Sequence, residues 1–312
     1  MKLNIQKTDQ IDLRLLLCVF GVTTALTAIL RTVQLFTNIE PHTGFFAAVD
    51  WSVYVLYGLV LLSAALLMLL PSFSARIPAS RAVVRRDPAL AVTSGLFAAG
   101  LLYDAALAVL NIPVLLSENG SLPVGALLFS EGLLAEVLRA ACGLLAALYM
   151  VFTAVSYAKG TRQFAKFRLL ALMPLFWAMF RIVLRFMTKI SFTMVSELLL
   201  ELAMLAFMML FLLSFARIAA AVNPKGEMRK AVRFGLPAAF LAAVIGLSRL
   251  VCTVAGKGEL LADGFPFSFG ELGFAAFAAA YVAEQLRFGR PASEEPDMAQ
   301  DAEPPETDSA DA

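Results

Sequence analysis

Eight apolar stretches of roughly twenty residues, parted by short breaker-rich connections, limit what this chain can become. A bilayer core of about 30 Å takes roughly 20 apolar residues per helix. Segments near 15–37, 51–70, 89–111, 132–157, 168–189, 195–221, 232–254 and 269–286 approach that length. Between them stand Pro71, Pro78 and Pro88, the ENGSLPVG turn, the AKG turn at 158–160 and NPKG at 223–226, all turn or breaker signals. Inside lipid every backbone N–H and C=O must be satisfied within the protein, so such segments span as helices. With 60% hydrophobic and 16% charged residues over 312 positions, the chain lies outside soluble-domain usage. The expectation is an all-α polytopic transmembrane bundle over 15–286, after an N-terminal segment at 1–14 and before a tail at 287–312.

Basic residues orient the bundle, because short cytoplasmic loops hold the excess of Lys and Arg. Lys2, Lys7 and Arg14 precede the first segment, and Arg76, Arg81, Arg85 and Arg86 lie in the second connection. Lys159, Arg162, Lys166 and Arg168 lie in the fourth, Arg217, Lys225, Arg229, Lys230 and Arg233 in or beside the sixth, and Arg287 and Arg290 open the tail. That is 18 of the 25 basic residues on one side, while 112–131 on the other side holds none. Both termini are therefore expected in the cytoplasm of a multi-pass cell-membrane protein, which requires an even number of spans. The opening MKLNIQKTDQIDLR leads into an apolar run that ends in TNIEPHTG, with no small-residue cleavage site, and reads as an uncleaved first helix. The last 22 residues carry eight acids, four prolines and no base, a composition that cannot bury a core and predicts disorder.

Short matches hint at internal duplication. Arg-x-Val recurs at Arg31, Arg181 and Arg249, each with a small residue three positions earlier, and Ala-Arg-Ile recurs at 75–77 and 216–218. Repeated helical hairpins, or two four-helix halves, would produce this pattern. Such common residues also match by chance.

The spans are unusually charged. Counting a rise of about 1.5 Å per residue from each inner start brings Arg31, Asp104, Arg181 and Arg249 into the outer third of the bilayer. Asp50, Glu136 with Arg139, Glu197 with Glu201, and Glu271 reach a similar depth on the descending helices. A charge at the bilayer centre costs about 2.5–3.5 kcal/mol on insertion scales, so these groups must pair, face the bundle interior or border water. Folding FRIVLRFMTKISFTMVSELLLELA about 190–193 sets Arg185 level with Glu197 and Arg181 level with Glu201. The other hairpins allow Arg31 with Asp50, Asp104 with Arg139 and Arg249 with Glu271, and Glu136 meets Arg139 at i, i+3. Asp50, Glu271 and Lys189 also fit an interfacial position solvated by headgroups.

Polar stripes accompany the charges. Thr24, Thr27, Arg31, Gln34 and Asn38 share one face of the first helix; Gly100, Asp104 and Asn111 share one on the third, and Asp50, Tyr54 and Tyr57 one on the second. These faces line a cavity or permit close helix packing. Met-rich 203–210 reads as core or lipid contact. Cys18, Cys142 and Cys252 have unrelated spacings and read as buried small hydrophobes rather than a disulfide or metal set.

Much chemistry lacks support. His42 is the one histidine, so haem held by two histidines, HExxH zinc chemistry and Ser-His catalysis have no basis. No Walker A or dinucleotide glycine fingerprint occurs, and no basic tract interleaved with aromatics suggests nucleic acid. No cofactor is implied, and an enzyme ranks last among the readings.

Two functions remain. One is a transporter or permease-like component that binds a small polar or charged solute in an outer-half vestibule. Its candidate ligand-binding residues are Arg31, Gln34, Asp104, Glu136, Arg139, Arg181, Arg185, Glu197, Glu201 and Arg249. The other is a non-transporting membrane subunit (sensor, scaffold or assembly factor), whose charges only fix helix register and whose basic inner loops and acidic tail dock a cytoplasmic protein.

Overall fold

The computed structural model describes residues 13–38, 51–73, 86–118, 123–129, 132–161, 167–187, 195–220, 222, 224–261, 265 and 267–288. Among the described residues every regular element is helical: α1 (Leu13–Thr37), α2 (Trp51–Leu69), α3 (Pro88–Glu118), α4 (Val124–Phe129), α5 (Leu133–Lys159), α6 (Met173–Met187), α7 (Val195–Ala219), α8 (Pro224–Val254) and α9 (Phe269–Phe288). Short 3-10 turns follow α2, precede α6 and lead toward α9.

Among the described residues seven helices are long and apolar enough to cross a bilayer, namely α1, α2, α3, α5, α7, α8, and α6 with the turn before it. The chain is thus a multi-pass, all-helical membrane protein. The expected eighth span, α9, forms as a helix of 20 residues but is not among these seven. It packs between α3 and α8, with Glu271, Phe274, Phe277, Ala278, Tyr281, Val282 and Gln285 fully buried. A helix surrounded by protein has little lipid to face, so it tolerates polar residues that a peripheral span cannot.

The packing order is a ring. α3 packs on α5, α5 on α6, α6 on α7, α7 on α8, α8 on α9 and α9 back on α3, while α1 and α2 lie outside against α8. Glycine closes the α3–α9 seam. A Cβ added at Gly100 would lie 2.7 Å from Gly270 Cα, and one at Gly273 would lie 2.8 Å from Phe97 Cα, so these backbones touch as small residues permit in membranes. Aromatic rings fill the middle of the ring of helices. Phe97 stacks on Phe277 and meets Trp177 and Phe274 edge-on, Phe211 meets Phe274, Phe277 and Tyr281 edge-on, and Phe215 meets Phe277 and Tyr281 edge-on, at centroid separations of 5.3 to 6.2 Å. Such offset and edge-on pairs add to the burial energy.

Several sequence expectations need correction. α3 does not stop near 111 but runs through Pro113 to Glu118; Pro113 lies in its outer turns, where a proline disturbs few backbone bonds. α4 occupies part of the expected outer loop, and NPKG does not end a connection but starts α8, with Pro224 at the first helical position. The glycine of the AKG turn behaves as expected: Gly160 (φ 69°) ends α5 in the left-handed region and donates to Ser156 O. Met204 and Met208 are core. The cysteines are free thiols, but Cys18 is exposed rather than buried. Tyr54 points outward, so it does not share an inward face with Tyr57. Asp50, His42, Lys189 and the acidic tail lie outside the described residues.

Candidate functional site

The charged side chains meet in one layer and divide into two networks. The larger is centred on Glu201 of α7 and Glu271 of α9, both fully buried. Arg181 of α6 donates through Nη2 to Glu201 Oε1 at 3.1 Å and to Glu271 Oε1 at 2.7 Å. One turn further along α6, Arg185 forks onto Glu201 through Nε and Nη2, at 2.9 and 3.1 Å. From α8, Arg249 donates to Glu201 Oε2 at 3.2 Å and to both Glu271 oxygens at 3.5 Å. Its Nη2 also lies 3.7 Å from Glu197, which pairs in turn with Arg31 of α1. Phe265 lies under the guanidinium groups of Arg185 and Arg249, 4.4 and 5.6 Å from its centroid.

The smaller network joins α3, α5 and α6. Arg139 pairs with Glu136 at 3.0 Å and approaches Asp104 at 3.8 Å. Asp104 accepts the indole N–H of Trp177 at 2.7 Å, and Asn111 reaches Glu136 at 3.5 Å. Trp177 stands one turn before Arg181, whose guanidinium lies 5.3 Å from its ring, so this residue touches both networks.

A cavity of about 440 Å³ separates the two networks. Asp104, Asn111, Glu136 and Arg139 form one wall and Arg181, Arg185 and Ser268 the other; Tyr103, Leu107, Val114, Leu115, Leu184 and Phe267 supply apolar surface. The walls differ in charge. Arg31, Arg181, Arg185 and Arg249 against Glu197, Glu201 and Glu271 leave one positive charge behind the α6 wall. Arg139 against Asp104 and Glu136 leaves one negative charge on the α3–α5 wall. Three donors of the wall residues are buried without a hydrogen-bond acceptor: Arg139 Nε, which faces Asp104 Oδ2 at 3.8 Å, Arg181 Nη1 and Ser268 Oγ.

No protein-family model, characterised protein or solved structure matches this chain. The geometry alone must therefore carry the functional reading.

Of the ten residues expected at a site, Asp104, Glu136, Arg139, Arg181 and Arg185 line the cavity, while Arg31, Glu197, Glu201 and Arg249 lie in the network behind it. Gln34 does neither. It ties α1 to α2 by donating to Ser52 O at 2.6 Å, beside Asn38, which donates to Ser52 Oγ at 3.1 Å. The rest of that stripe turns inward, with Thr24, Thr27, Arg31 and Gln34 all buried. The expected pairs of Arg181 with Glu201, Arg249 with Glu271 and Arg139 with Glu136 form. Arg185 pairs with Glu201 instead of Glu197, which is free to meet Arg31 because α1 packs on α8. Glu271 is at the centre of the network rather than among headgroups. Sequence reasoning missed Trp177 and Phe265; the four-residue spacing from Trp177 to Arg181 was the available signal for the first.

Proposed function

We propose that this protein is a transporter or permease-like component that binds a small zwitterionic solute between the two charged networks. The observation that carries this reading is the cavity itself, whose opposite walls hold opposite excess charge. A solute with an anionic group and an amine can meet both. Its carboxylate or phosphate takes the unpartnered donors of Arg139, Arg181 and Ser268, and its cationic end faces Asp104 and Glu136. At about 440 Å³ the space is near the low end of ligand pockets, about 300–1,000 Å³, which favours a solute of amino-acid size. The aromatic packing of Phe97, Phe211, Phe274 and Phe277 below the layer favours an occluded binding site over an open pore.

The basic-residue distribution supports eight spans with α9 as the last and both termini on the cytoplasmic side of a cell membrane. Repeated hairpins are part of the same proposal, with the α1–α2 pair displaced to the outside of the ring.

The test is a thermal-shift survey of the purified protein with zwitterions, simple anions and simple amines, followed by uptake into vesicles. Zwitterions should raise the melting temperature most, and Asp104→Asn and Arg139→Gln should each weaken that shift in a protein that still folds. No shift with any class and no uptake would refute the reading. A second reading is favoured by Glu201 and Glu271, whose arginine partners satisfy them without any ligand: a membrane subunit with a structural charge network, which docks a cytoplasmic protein through its basic loops or acidic tail. Loss of a co-purifying partner on deletion of 291–312 would support it.

A further inference from the structure

α9 carries a second buried acid at its other end, and its surroundings differ sharply from those of Glu271. Glu284 is 3% exposed, and neither of its carboxyl oxygens has a hydrogen-bond partner. The next residue, Gln285, is fully buried, and its amide is likewise unpartnered at both ends.

The groups around Glu284 come from every element packed there. The start of α3 brings Asp87, within electrostatic reach of Glu284. α5 brings Tyr149 and Tyr157, and α9 itself adds Tyr281, the three phenols lying within electrostatic reach of one another. The start of α8 is adjacent, since Tyr281 Oη lies 4.0 Å from Met228 Sδ. Its acid Glu227 is already closed by Arg217 at 2.8 Å and Lys230 at 2.9 Å, while Arg229 and Arg233 are exposed.

We propose that Glu284, with Gln285 beside it, is a proton-binding site at the end of the bundle opposite the charged layer. A carboxylate buried alone is far more costly than the same group neutralised by a proton. Asp87 is already engaged: its Oδ1 accepts the N–H groups of Ala89 and Leu90 at 2.8 and 3.2 Å, the geometry of a helix N-cap. A hard metal cation would need several oxygen ligands, whereas the free carboxylate oxygens belong to Glu284 alone. Protonated Glu284 both donates and accepts, which suits neighbours that lack one or the other.

The two acids of α9 are thirteen positions apart, about 20 Å along the helix, with Phe274, Phe277 and Tyr281 between them. One end of this rigid element is fixed by arginines and the other holds an exchangeable charge. The inference does not depend on the solute proposal, because it concerns a different end of the bundle.

The test uses the full-length protein in lipid nanodiscs and dicyclohexylcarbodiimide, which labels protonated carboxyl groups in apolar surroundings. Peptide mass spectrometry should find the label on Glu284, lost as pH is raised, with Glu201 and Glu271 unlabelled. Infrared spectra should show a protonated carboxyl band that Glu284→Gln removes. If that variant does not fold, the wild-type labelling decides alone. An unlabelled Glu284 at every pH would overturn the proposal, as would protection by sodium at constant pH, which would make it a metal-cation site. Neither result would alter solute binding in the cavity.

Discussion

Replacing Glu201 by glutamine tests the charged layer most directly, because it keeps shape and removes charge. Glu201 is fully buried and accepts from Arg181, Arg185 and Arg249 at 2.9 to 3.2 Å. The amide retains one acceptor and turns the other oxygen into a donor facing guanidinium groups. The excess charge behind the α6 wall rises from one positive to two. Removing one partner from a buried ion pair costs about 3–5 kcal/mol. Interhelical hydrogen bonds in membranes average nearer about 0.6 kcal/mol, because separated helices find other partners in the bilayer. Here Arg181 and Arg185 share α6 and Glu197 and Glu201 share α7, so neither helix offers its own charges an opposite one. Arg249 and Glu271 join them only when α8 and α9 are in place. The loss should therefore approach the larger figure. Glu271→Gln should cost less, about 1.5–3 kcal/mol for charge-assisted bonds, because Arg181 and Arg249 both keep Glu201. Equilibrium unfolding in mixed micelles, read by the fluorescence of buried Trp177 beside the layer, gives both values. A cost below about 1 kcal/mol for Glu201→Gln, or the reverse order of the two variants, would refute the reasoning.

Three further outcomes follow from the same geometry. Gly100→Val should destabilise by about 1–3 kcal/mol, as overpacking does, because its Cβ would meet the Gly270 backbone at 2.7 Å; Gly246→Ala, which meets the Leu272 side-chain tip at 2.7 Å, should be milder in the same melt. Trp177→Phe should leave Asp104 without its 2.7 Å donor, cost about 1–3 kcal/mol and change solute affinity measured by calorimetry. Exchanging Arg31 and Glu197 as Arg31→Glu with Glu197→Arg should rescue the single variants only in part, since position 197 lies 3.7 Å from Arg249; complete recovery of stability would show that Arg249 does not sense that position.

The helices and the common level of the charges were legible in the sequence because both follow from period and length. Lipid demands about twenty apolar residues, and a fixed rise per residue then assigns each charge a level. Partner choice was not legible, because level says nothing about azimuth. The first hairpin allowed Arg31 to meet Asp50, yet α1 leans on α8 and Arg31 pairs with Glu197 on α7, six helices after α1. Glu271 sits two residues inside α9, where an acid at a water interface and an acid at a network centre look alike in one dimension. Only closure of the ring through α3 and α9 buries it. The 440 Å³ space was equally invisible, since a cavity is set by how α3, α5 and α6 splay rather than by any one helix.

The division of labour between the networks also determines how a solute can bind. Arg181 belongs to both, and its two terminal nitrogens are used differently. Nη2 is committed to Glu201 and Glu271, while Nη1 has no partner. A carboxylate or phosphate that accepts from Nη1 need break none of the bonds that hold α6 to α7 and α9, so binding adds to the network instead of competing with it. A ligand of this kind stabilises the fold by mass action, whereas one that displaced Glu201 would have to offset the cost of an unpaired buried glutamate. On the proposed reading, a zwitterionic solute would set its anionic group near Arg181, Arg139 and Ser268 and its cationic group near Asp104 and Glu136. A lone anion would leave the negative wall unanswered, and a lone amine would leave these three donors unmet.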